Sequence, residues 1–470
     1  MWPLRRSDGA TTPATAQHRH DDEDGPDVSS AVPPPPSGPP ESPVHHDRGF
    51  RHLLTQLFTL VSGRGSAGVL SALWLVIAAR NLTPTEFGDL AIVLAAGAIG
   101  GVFGDLGQQT ALAHEIARCG VLDRGLILAV IRRRLVMSIG AVVLIAVLYL
   151  SASSDSSLLV PLIFAGSTFG TAIYSSEISA MTAVGRAQYD GANELFSRLA
   201  VLLVGWWWLR HGGGLVAAVL IYALADVASA LTITLMMRPQ FRTSVHKIDL
   251  GQLKIRRTAK FALALTAAVI YARVDTWLLG QLKGSVVAGH YAAADKVLDA
   301  VLLVPAALGA LSIAQVSPLP PWERWRRSKV LVGLAVLLST VPAIVVGFFA
   351  PQVMAGLFGP SFRATSVVLV ILLLSVPPGA VASACSPITA VLAGWRFTAA
   401  VGVGLAVNIG LNLPLISAYG APGAAFANLG SEALLAVLII VLLRHHARHT
   451  PDTGATPASG ANAPDPPPSA

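Results

Sequence analysis

The chain has 470 residues, of which 53% are hydrophobic and only 13% are charged. This composition excludes a soluble globular protein, whose surface carries many more charged side chains. The formal net charge of +7 is explained by membrane topology and by attraction to anionic membrane lipid. No nucleic-acid partner is therefore expected.

Twelve apolar stretches fill the chain from Leu53 to Leu443. A helix needs about 20 apolar residues to cross a hydrocarbon core of ~30 Å. The stretches are continuously apolar and do not alternate, which predicts helices and not barrel strands. The sequence therefore predicts an all-α integral membrane protein with twelve transmembrane helices. The predicted spans are 53–79, 88–106, 135–152, 157–182, 192–209, 213–237, 258–281, 286–316, 328–349, 365–393, 397–417 and 422–443.

Lys and Arg residues fall almost entirely in alternate gaps between these spans. With a cytoplasmic N-terminus, the inward loops and flanks hold 23 of them. The outward loops hold four, which are Arg80, Arg210, Lys283 and Arg363. Because cytoplasmic loops carry the excess of positive charge, both termini are predicted to be cytoplasmic.

The predicted organisation is two six-helix lobes between two tails. Residues 1–47 and 450–470 are rich in Pro and small or polar residues and are predicted to be disordered cytoplasmic tails. A basic cytoplasmic connection at 238–260 separates an N-terminal lobe (48–237) from a C-terminal lobe (261–449). Parallel repeats of this kind place a shared cavity between the lobes.

A faint repeat supports this division. Glu86-Phe87-Gly88 and Gly289-His290-Tyr291 each open the second span of their half. Glycine beside an aromatic residue is common in membrane helices, so the match alone is weak evidence.

No enzymatic function is expected, because no loop between spans exceeds about thirty residues and none has room for a folded catalytic domain. The two cysteines, Cys119 and Cys385, lie far apart and do not have the spacing of a metal site. His445, His446 and His449 could bind a metal, but a solvated cluster at the end of the last span is the favoured interpretation. The sequence therefore predicts no cofactor and no metal.

About ten ionisable residues lie within the spans, where each costs a few kcal/mol and usually faces a cavity. For Asp105 and Glu177 a structural ion pair or an interfacial position is the favoured interpretation. Arg64 is central in its span and lies among glycines at 63, 65 and 68. These form a G-x-G-x-x-G pattern, but no strand precedes it, which excludes a dinucleotide site. The ten residues are Arg64, Asp105, Glu177, Asp226, Arg273, Asp275, Asp295, Lys296, Asp299 and Glu432.

Arg64, Arg273 and Lys296 are the candidate substrate-binding residues, because together they offer a cationic site for one pyrophosphate. Asp295 and Asp299 are four residues apart and share a helical face. Two interpretations of this pair stay open: a proton or cation site, or neutralisation of Lys296 and Arg273. The full set of ion-coupling candidates is Asp226, Asp275, Asp295 and Asp299.

Several motifs give the chain a resemblance to a known family over roughly residues 50–445. They lie at 79–84 with Phe87-Gly88, at 105–107 with 115–118, at 274–275 with 291–294, and at 358–360, 408–415 and 419–425. In their order and spacing these resemble the polysaccharide flippases of the multidrug, oligosaccharidyl-lipid and polysaccharide exporter superfamily. The long Pro-rich tail and the Asp295-Lys296 pair depart from the pattern of this family, and the latter weakens the assignment of Lys296.

The resemblance implies a flippase that translocates undecaprenyl-pyrophosphate-linked oligosaccharide across the bacterial cytoplasmic (inner) membrane by alternating access. The expected partners are the lipid-linked glycan and membrane lipid, with a polysaccharide polymerase and glycosyltransferases as further candidates. The alternative is a cation-coupled multidrug exporter of the same superfamily, which seven acidic against three basic residues within the spans would suit. A membrane glycosyltransferase or polymerase is disfavoured because the outward loops are short and nearly uncharged.

Overall fold

The computed structural model describes residues 68–120, 122–186, 188–237, 255–316 and 319–449. The two predicted tails, most of the basic connection and Arg64 lie outside these residues. The first predicted span is described only from Gly68 onward.

The regular elements of the described part are helices. In chain order they are α1 (Gly68–Asn81), α2 (Pro84–Asp105), α3 (Gln108–Cys119), α4 (Arg124–Ala152), α5 (Leu159–Ala183), α6 (Gln188–Arg210), α7 (Gly214–Met237), α8 (Ile255–Lys283), α9 (Ser285–Val301), α10 (Leu303–Val316), α11 (Pro321–Phe348), α12 (Ala350–Phe358), a 3₁₀ helix (Pro360–Thr365), α13 (Ser366–Leu374), α14 (Val376–Ala393), α15 (Trp395–Tyr419) and α16 (Ala421–His449). The predicted all-α class is confirmed.

The predicted number of twelve spans in two lobes is not confirmed. Within the described residues, nine helices are long and apolar enough to cross a membrane, and the bent pair of α9 and α10 makes ten if it counts as one span. α1 is shorter than a full span in its described part. α6 is not among these nine helices, and its first half carries Asp190, Glu194 and Arg198. These helices nevertheless make the chain a multi-pass membrane protein.

Two predicted spans are each divided into two helices, and proline accounts for both breaks. A proline lacks the N–H donor and its ring clashes with the carbonyl four residues earlier. Pro305 therefore disrupts the helix near Leu302, where α9 and α10 meet at a bend of 48°. Pro377 and Pro378 follow the break at Ser375 between α13 and α14 in the same way.

Helix α3 was not predicted, because it lies in an inward loop and does not cross the membrane. The chain turns between α2 and α3 through Leu106 and Gly107, which both have left-handed φ angles of 41° and 78°. Asp105 holds this turn, since its carboxylate accepts hydrogen bonds from the backbone N–H of Gly107 (3.1 Å) and of Gln109 (3.0 Å). Burial of Leu112 and Ile116 fixes α3 against the bundle.

Helix α2 begins with a capping box in which Thr83 and Glu86 each accept a hydrogen bond from the other's backbone N–H. Pro84 at the first helical position fits the same start, because its missing N–H has no acceptor there. The motif at 79–84 is therefore a helix-start signal, and it places α2 at the outward end of the bundle under the predicted topology.

The halves of the chain meet where α2 contacts α9, at the two glycines of the faint repeat. A Cβ atom on Gly289 would lie 2.9 Å from the Cα of Gly88, and a Cβ on Gly88 would overlap the carbonyl group of Ser285. Only glycine permits this backbone approach. The repeat seen in the sequence is thus a packing contact between the halves.

We expect Gly88→Ala to lower the stability of the protein by about 1–3 kcal/mol, because the added methyl group forces α2 away from α9. Gly101→Ala is the matched control on the same helix, since its Cβ would meet no atom within 4 Å. Thermal unfolding of the purified protein in detergent measures both. Equal unfolding temperatures for the two variants would show that the backbone contact is not tight.

Candidate functional site

The predicted cationic site lies midway through the membrane, where α8 and α9 run side by side. The two helices are joined by Gly284 alone, whose φ of 87° makes the tight turn. At 1.5 Å per residue, Arg273 lies about 15 Å along α8 from this turn and Lys296 about 16 Å along α9. Both depths are close to the middle of a core of ~30 Å.

Two cations and two carboxylates meet at this depth, and we call Arg273, Asp295, Lys296 and Asp299 the charge quartet. Arg273 contacts Asp295 (Nη1 to Oδ2, 3.3 Å) and lies 3.9 Å from the Oδ2 of Asp299. Lys296 donates to the same Asp299 oxygen at 2.6 Å. The formal charge of the quartet is therefore zero, and these contacts favour the neutralising interpretation of the two aspartates.

The quartet has one open edge. The side chain of Asp299 is 48% exposed and that of Arg273 31%, against 24% for Lys296 and 17% for Asp295. Charged side chains at the membrane midplane face water or protein and not lipid. We therefore expect the open edge to face water within the bundle, with Asp299 outermost.

Asp275 lies two residues after Arg273 on α8, but its environment is different. It is buried, and its carboxylate accepts hydrogen bonds from the hydroxyl of Tyr291 (2.9 Å) and the amide of Asn412 (2.7 Å). Within the described residues it forms no ion pair with Lys or Arg. Neutral donors alone thus hold this carboxylate.

A buried hydrogen-bond network continues from Asp275 into the last two helices. Asn412 also donates to Asn408 on α15, and Asn408 donates to Ser431 on α16 at 3.1 Å. Tyr271 on α8 donates to the same Ser431 hydroxyl at 3.0 Å. The network fixes α8 and α9 against α15 and α16.

Two acceptor atoms of this region lack a hydrogen-bond donor in the described part of the chain: the Oδ1 of Asn412 and the Oε2 of Glu432. Buried acceptors without a donor suit a proton, a water molecule or a cation. The described residues contain no group of three His, Cys, Asp or Glu side chains with metal-site geometry. Amide and carboxylate oxygens of this kind are the ligands that hard cations prefer.

The candidates in the N-terminal half lie apart from the quartet. Asp226 accepts a hydrogen bond from Ser167, and its backbone lies against Gly170 of α5. Asp105 forms the expected structural ion pair, with the buried Arg134 at 3.3 Å. Glu177 is also buried, but its partner is the hydroxyl of Thr234, so the ion pair considered for it is absent from the described contacts.

The sequence did not point to Asp89, which joins three parts of the bundle at the end that is predicted to face outward. This buried carboxylate accepts hydrogen bonds from the Ser153 hydroxyl (2.7 Å), the Ser154 backbone N–H (3.1 Å) and the Ser285 hydroxyl. Ser154 also donates to Ser285 through its own hydroxyl, at 2.8 Å. We call Asp89, Ser153, Ser154 and Ser285 the outward lock, because it joins α2, the α4–α5 turn and α9.

Two further hydrogen bonds connect distant helices near the same end. Arg80 donates to the carbonyl groups of Gly356 and Leu357 at the end of α12, the latter at 2.7 Å. The indole N–H of Trp277 on α8 donates to the carbonyl of Leu148 on α4 at 2.9 Å. Together with the outward lock, these contacts join helices of the two halves at the end of the bundle that is predicted to face outward.

Comparisons with known proteins agree with this architecture. A family model described as "Polysaccharide biosynthesis protein" matches residues 53–312, which is more than half of the chain. No curated protein matches the chain by sequence.

Solved structures with the same fold cover most of the chain. A structure described as "Lipid II flippase MurJ, inward closed conformation" is 11% identical, with a TM-score of 0.70 over 82% of this chain and 87% of that one. An inward-facing multidrug resistance MATE transporter of the MOP superfamily is 14% identical, with a TM-score of 0.65 over 81% and 94%. The Vibrio cholerae MATE transporter VcmN in its bent form is 14% identical, with a TM-score of 0.54 over 85% and 98%. At such low identity the likeness shows a shared fold.

We expect Asn412→Ala to lower the stability of the protein by about 1–3 kcal/mol, because it removes a donor from the buried carboxylate of Asp275. Ser417→Ala, on the exposed side of the same helix, removes only a hydroxyl bonded to the carbonyl of Leu413 and should change stability by less than about 0.5 kcal/mol. Thermal unfolding in detergent compares the two. Similar small shifts for both would contradict a stabilising role of the network.

Proposed function

Because the chain belongs to the family of polysaccharide biosynthesis proteins, we propose that it is an alternating-access flippase for undecaprenyl-pyrophosphate-linked oligosaccharide. Its product would supply cell-surface polysaccharide synthesis outside the bacterial cytoplasmic membrane. The observation that carries the proposal is the pair of cations, Arg273 and Lys296, on the open edge of the charge quartet at mid-membrane depth. A neutral or purely apolar substrate would not require them.

The pyrophosphate binds to Arg273 and Lys296, and Arg64 is the third proposed contact. Arg273 can donate two parallel hydrogen bonds to one phosphate, whereas Lys296 acts as a point charge. The sugars occupy the aqueous space beside the quartet, and the polyprenyl tail stays in lipid. The protein thus shields only the polar part of the substrate from hydrocarbon.

The conformation supports loading from the cytoplasmic side. The outward lock and the Gly88–Gly289 contact close the outward end, and two of the structures with the same fold are described as inward closed and inward-facing. Release then requires α2 and α9 to separate and the outward lock to open. The predicted topology, with both termini in the cytoplasm, gives this movement its direction.

We also propose that a coupling cation shifts the equilibrium between the inward-open and outward-open states. A ligand shifts such an equilibrium when it binds one state more tightly than the other. Asp275 is the best placed of the four candidates, since neutral donors hold it and donor-free acceptors lie on Asn412 and nearby on Glu432. Asp295 and Asp299 are engaged with cations, and Asp226 bonds to Ser167.

The alternative function is a cation-coupled multidrug exporter. Carboxylates without a cationic partner among the described contacts favour it, because Asp275, Asp226 and Glu432 would attract an organic cation. Transport of a cationic dye by the purified protein in liposomes separates the two functions. A flippase should move the pyrophosphate-linked glycan and leave the dye untransported.

We expect Arg273→Ala to abolish export of the glycan at an unchanged protein level, because it removes the forked donor of the site. Lys283→Ala is the control on the same helix: it also removes one positive charge, but at the outward end, where Lys283 donates to the carbonyl of Ser417. Surface polysaccharide and cytoplasmic-side lipid-linked glycan are measured in complemented cells. Full export by Arg273→Ala, or equal loss in both variants, would contradict the assignment of Arg273. We expect Arg64→Ala to behave like Arg273→Ala.

A disulfide across the outward lock should stop transport reversibly. The hydroxyl oxygens of Ser154 and Ser285 are 2.8 Å apart, so the double variant Ser154→Cys/Ser285→Cys has the proximity that a disulfide needs. We expect oxidation to abolish flipping and a reductant to restore it, with each single cysteine variant insensitive to both. Undiminished flipping by the cross-linked protein would show that the outward end does not need to open.

A further inference from the structure

We propose that Asp299 is a built-in counter-ion that the pyrophosphate of the substrate replaces when it binds. This inference rests on the proposed function, since it concerns how the same site takes its ligand. Its starting point is that each cation of the charge quartet already contacts a carboxylate: Lys296 and Arg273 share Asp299, and Arg273 also contacts Asp295. A phosphate that binds to these two cations therefore replaces a carboxylate that already contacts them.

Asp299, and not Asp295, is the carboxylate that leaves. Asp299 is the outermost member of the quartet and the only one that contacts both cations through a single oxygen, Oδ2. Asp295 is less exposed and, among the described residues, forms an ion pair with Arg273 alone, at 3.3 Å. A ligand in the aqueous space consequently meets Asp299 first, while Asp295 keeps Arg273 in place beneath it.

The position of Asp299 makes it a weakly held partner. It lies in the last turn of α9, three residues before the bend at Leu302. A negative charge near the C-terminus of a helix is unfavourable, because the helix dipole is negative there. Half-exposed ion pairs also contribute little, since water screens them. A rotation of this side chain frees Lys296 and the Nη2 of Arg273 with little loss of stability, while Nη1 of Arg273 stays paired with Asp295.

A pyrophosphate is a better partner for the freed cations than one carboxylate. It carries more negative charge and several acceptor oxygens, so it can take the parallel donors of Arg273 and the Lys296 ammonium together. Asp299 remains beside the site because it is part of α9. It therefore competes with the phosphate for Arg273 and Lys296 whenever a phosphate contact breaks. Exchange of this kind limits the affinity and allows the substrate to leave, as a transporter requires.

The test compares binding of inorganic pyrophosphate to the full-length protein in nanodiscs, by calorimetry, for wild type, Asp299→Asn and Asp295→Asn. Both variants remove one negative charge from the quartet, so Asp295→Asn controls for general electrostatics. We expect Asp299→Asn to bind about fivefold more tightly or better, the factor that corresponds to losing one competing exposed ion pair. Asp295→Asn should bind pyrophosphate only about twofold more tightly or less.

The second measurement is turnover of the glycan lipid, which Asp299→Asn should slow because release becomes harder. Unchanged or weaker pyrophosphate binding by Asp299→Asn, or a larger gain in Asp295→Asn, would overturn the exchange, even if wild-type flipping is intact. Conversely, tighter binding by Asp299→Asn in a protein that flips no glycan lipid would uphold the exchange and overturn the proposed function. Asp299→Ala should repeat the result of Asp299→Asn, since position 299 is half exposed and tolerates a small side chain.

Discussion

Glycine lets two helix backbones approach closely because it carries no side chain, and α2 and α9 do so at Gly88 and Gly289. Much of the remaining arrangement depends on this contact. It brings Asp89 within reach of Ser285, and it sets α8, which is joined to α9 by Gly284, beside α2 and α4. The charge quartet on α8 and α9 is positioned by the same approach.

The bundle stabilises its buried charges in three different ways, and each way suits a different task. Arg134 and Asp105 are a buried ion pair at the turn into α3, which fits a fixed structural role. Asp89 and Asp275 are held by neutral donors, whose bonds can be exchanged for water or a cation without leaving an opposite charge exposed. The quartet pairs opposite charges at an open edge, where an external ion can enter.

The sequence was sufficient for the features that depend on local composition. The position of most spans, the capped start of α2 and the glycines at 88 and 289 could be read directly from it. It was insufficient where a contact joins distant residues: Asp89 to Ser285 and Asp275 to Asn412 are separated by 196 and 137 residues. A single acid or asparagine in an apolar run does not reveal its partner. The count of twelve spans is not confirmed, because α1 is described only from Gly68 onward, the first half of α6 carries three charged residues, and Pro305 bends the α9–α10 pair.

The unequal burial of the helices has a consequence for how the chain can vary. In its most apolar stretch α2 is 67% buried against other helices, whereas the corresponding stretch of α11 is only 22% buried. Fluid lipid accommodates apolar side chains of any shape and disfavours only polar ones. A packed protein interior also constrains the volume and shape of each side chain. Sequence drift on α11 is therefore limited by hydrophobicity alone. On α2 it is limited by fit, so a library of random apolar replacements would be tolerated on one helix and rejected on the other.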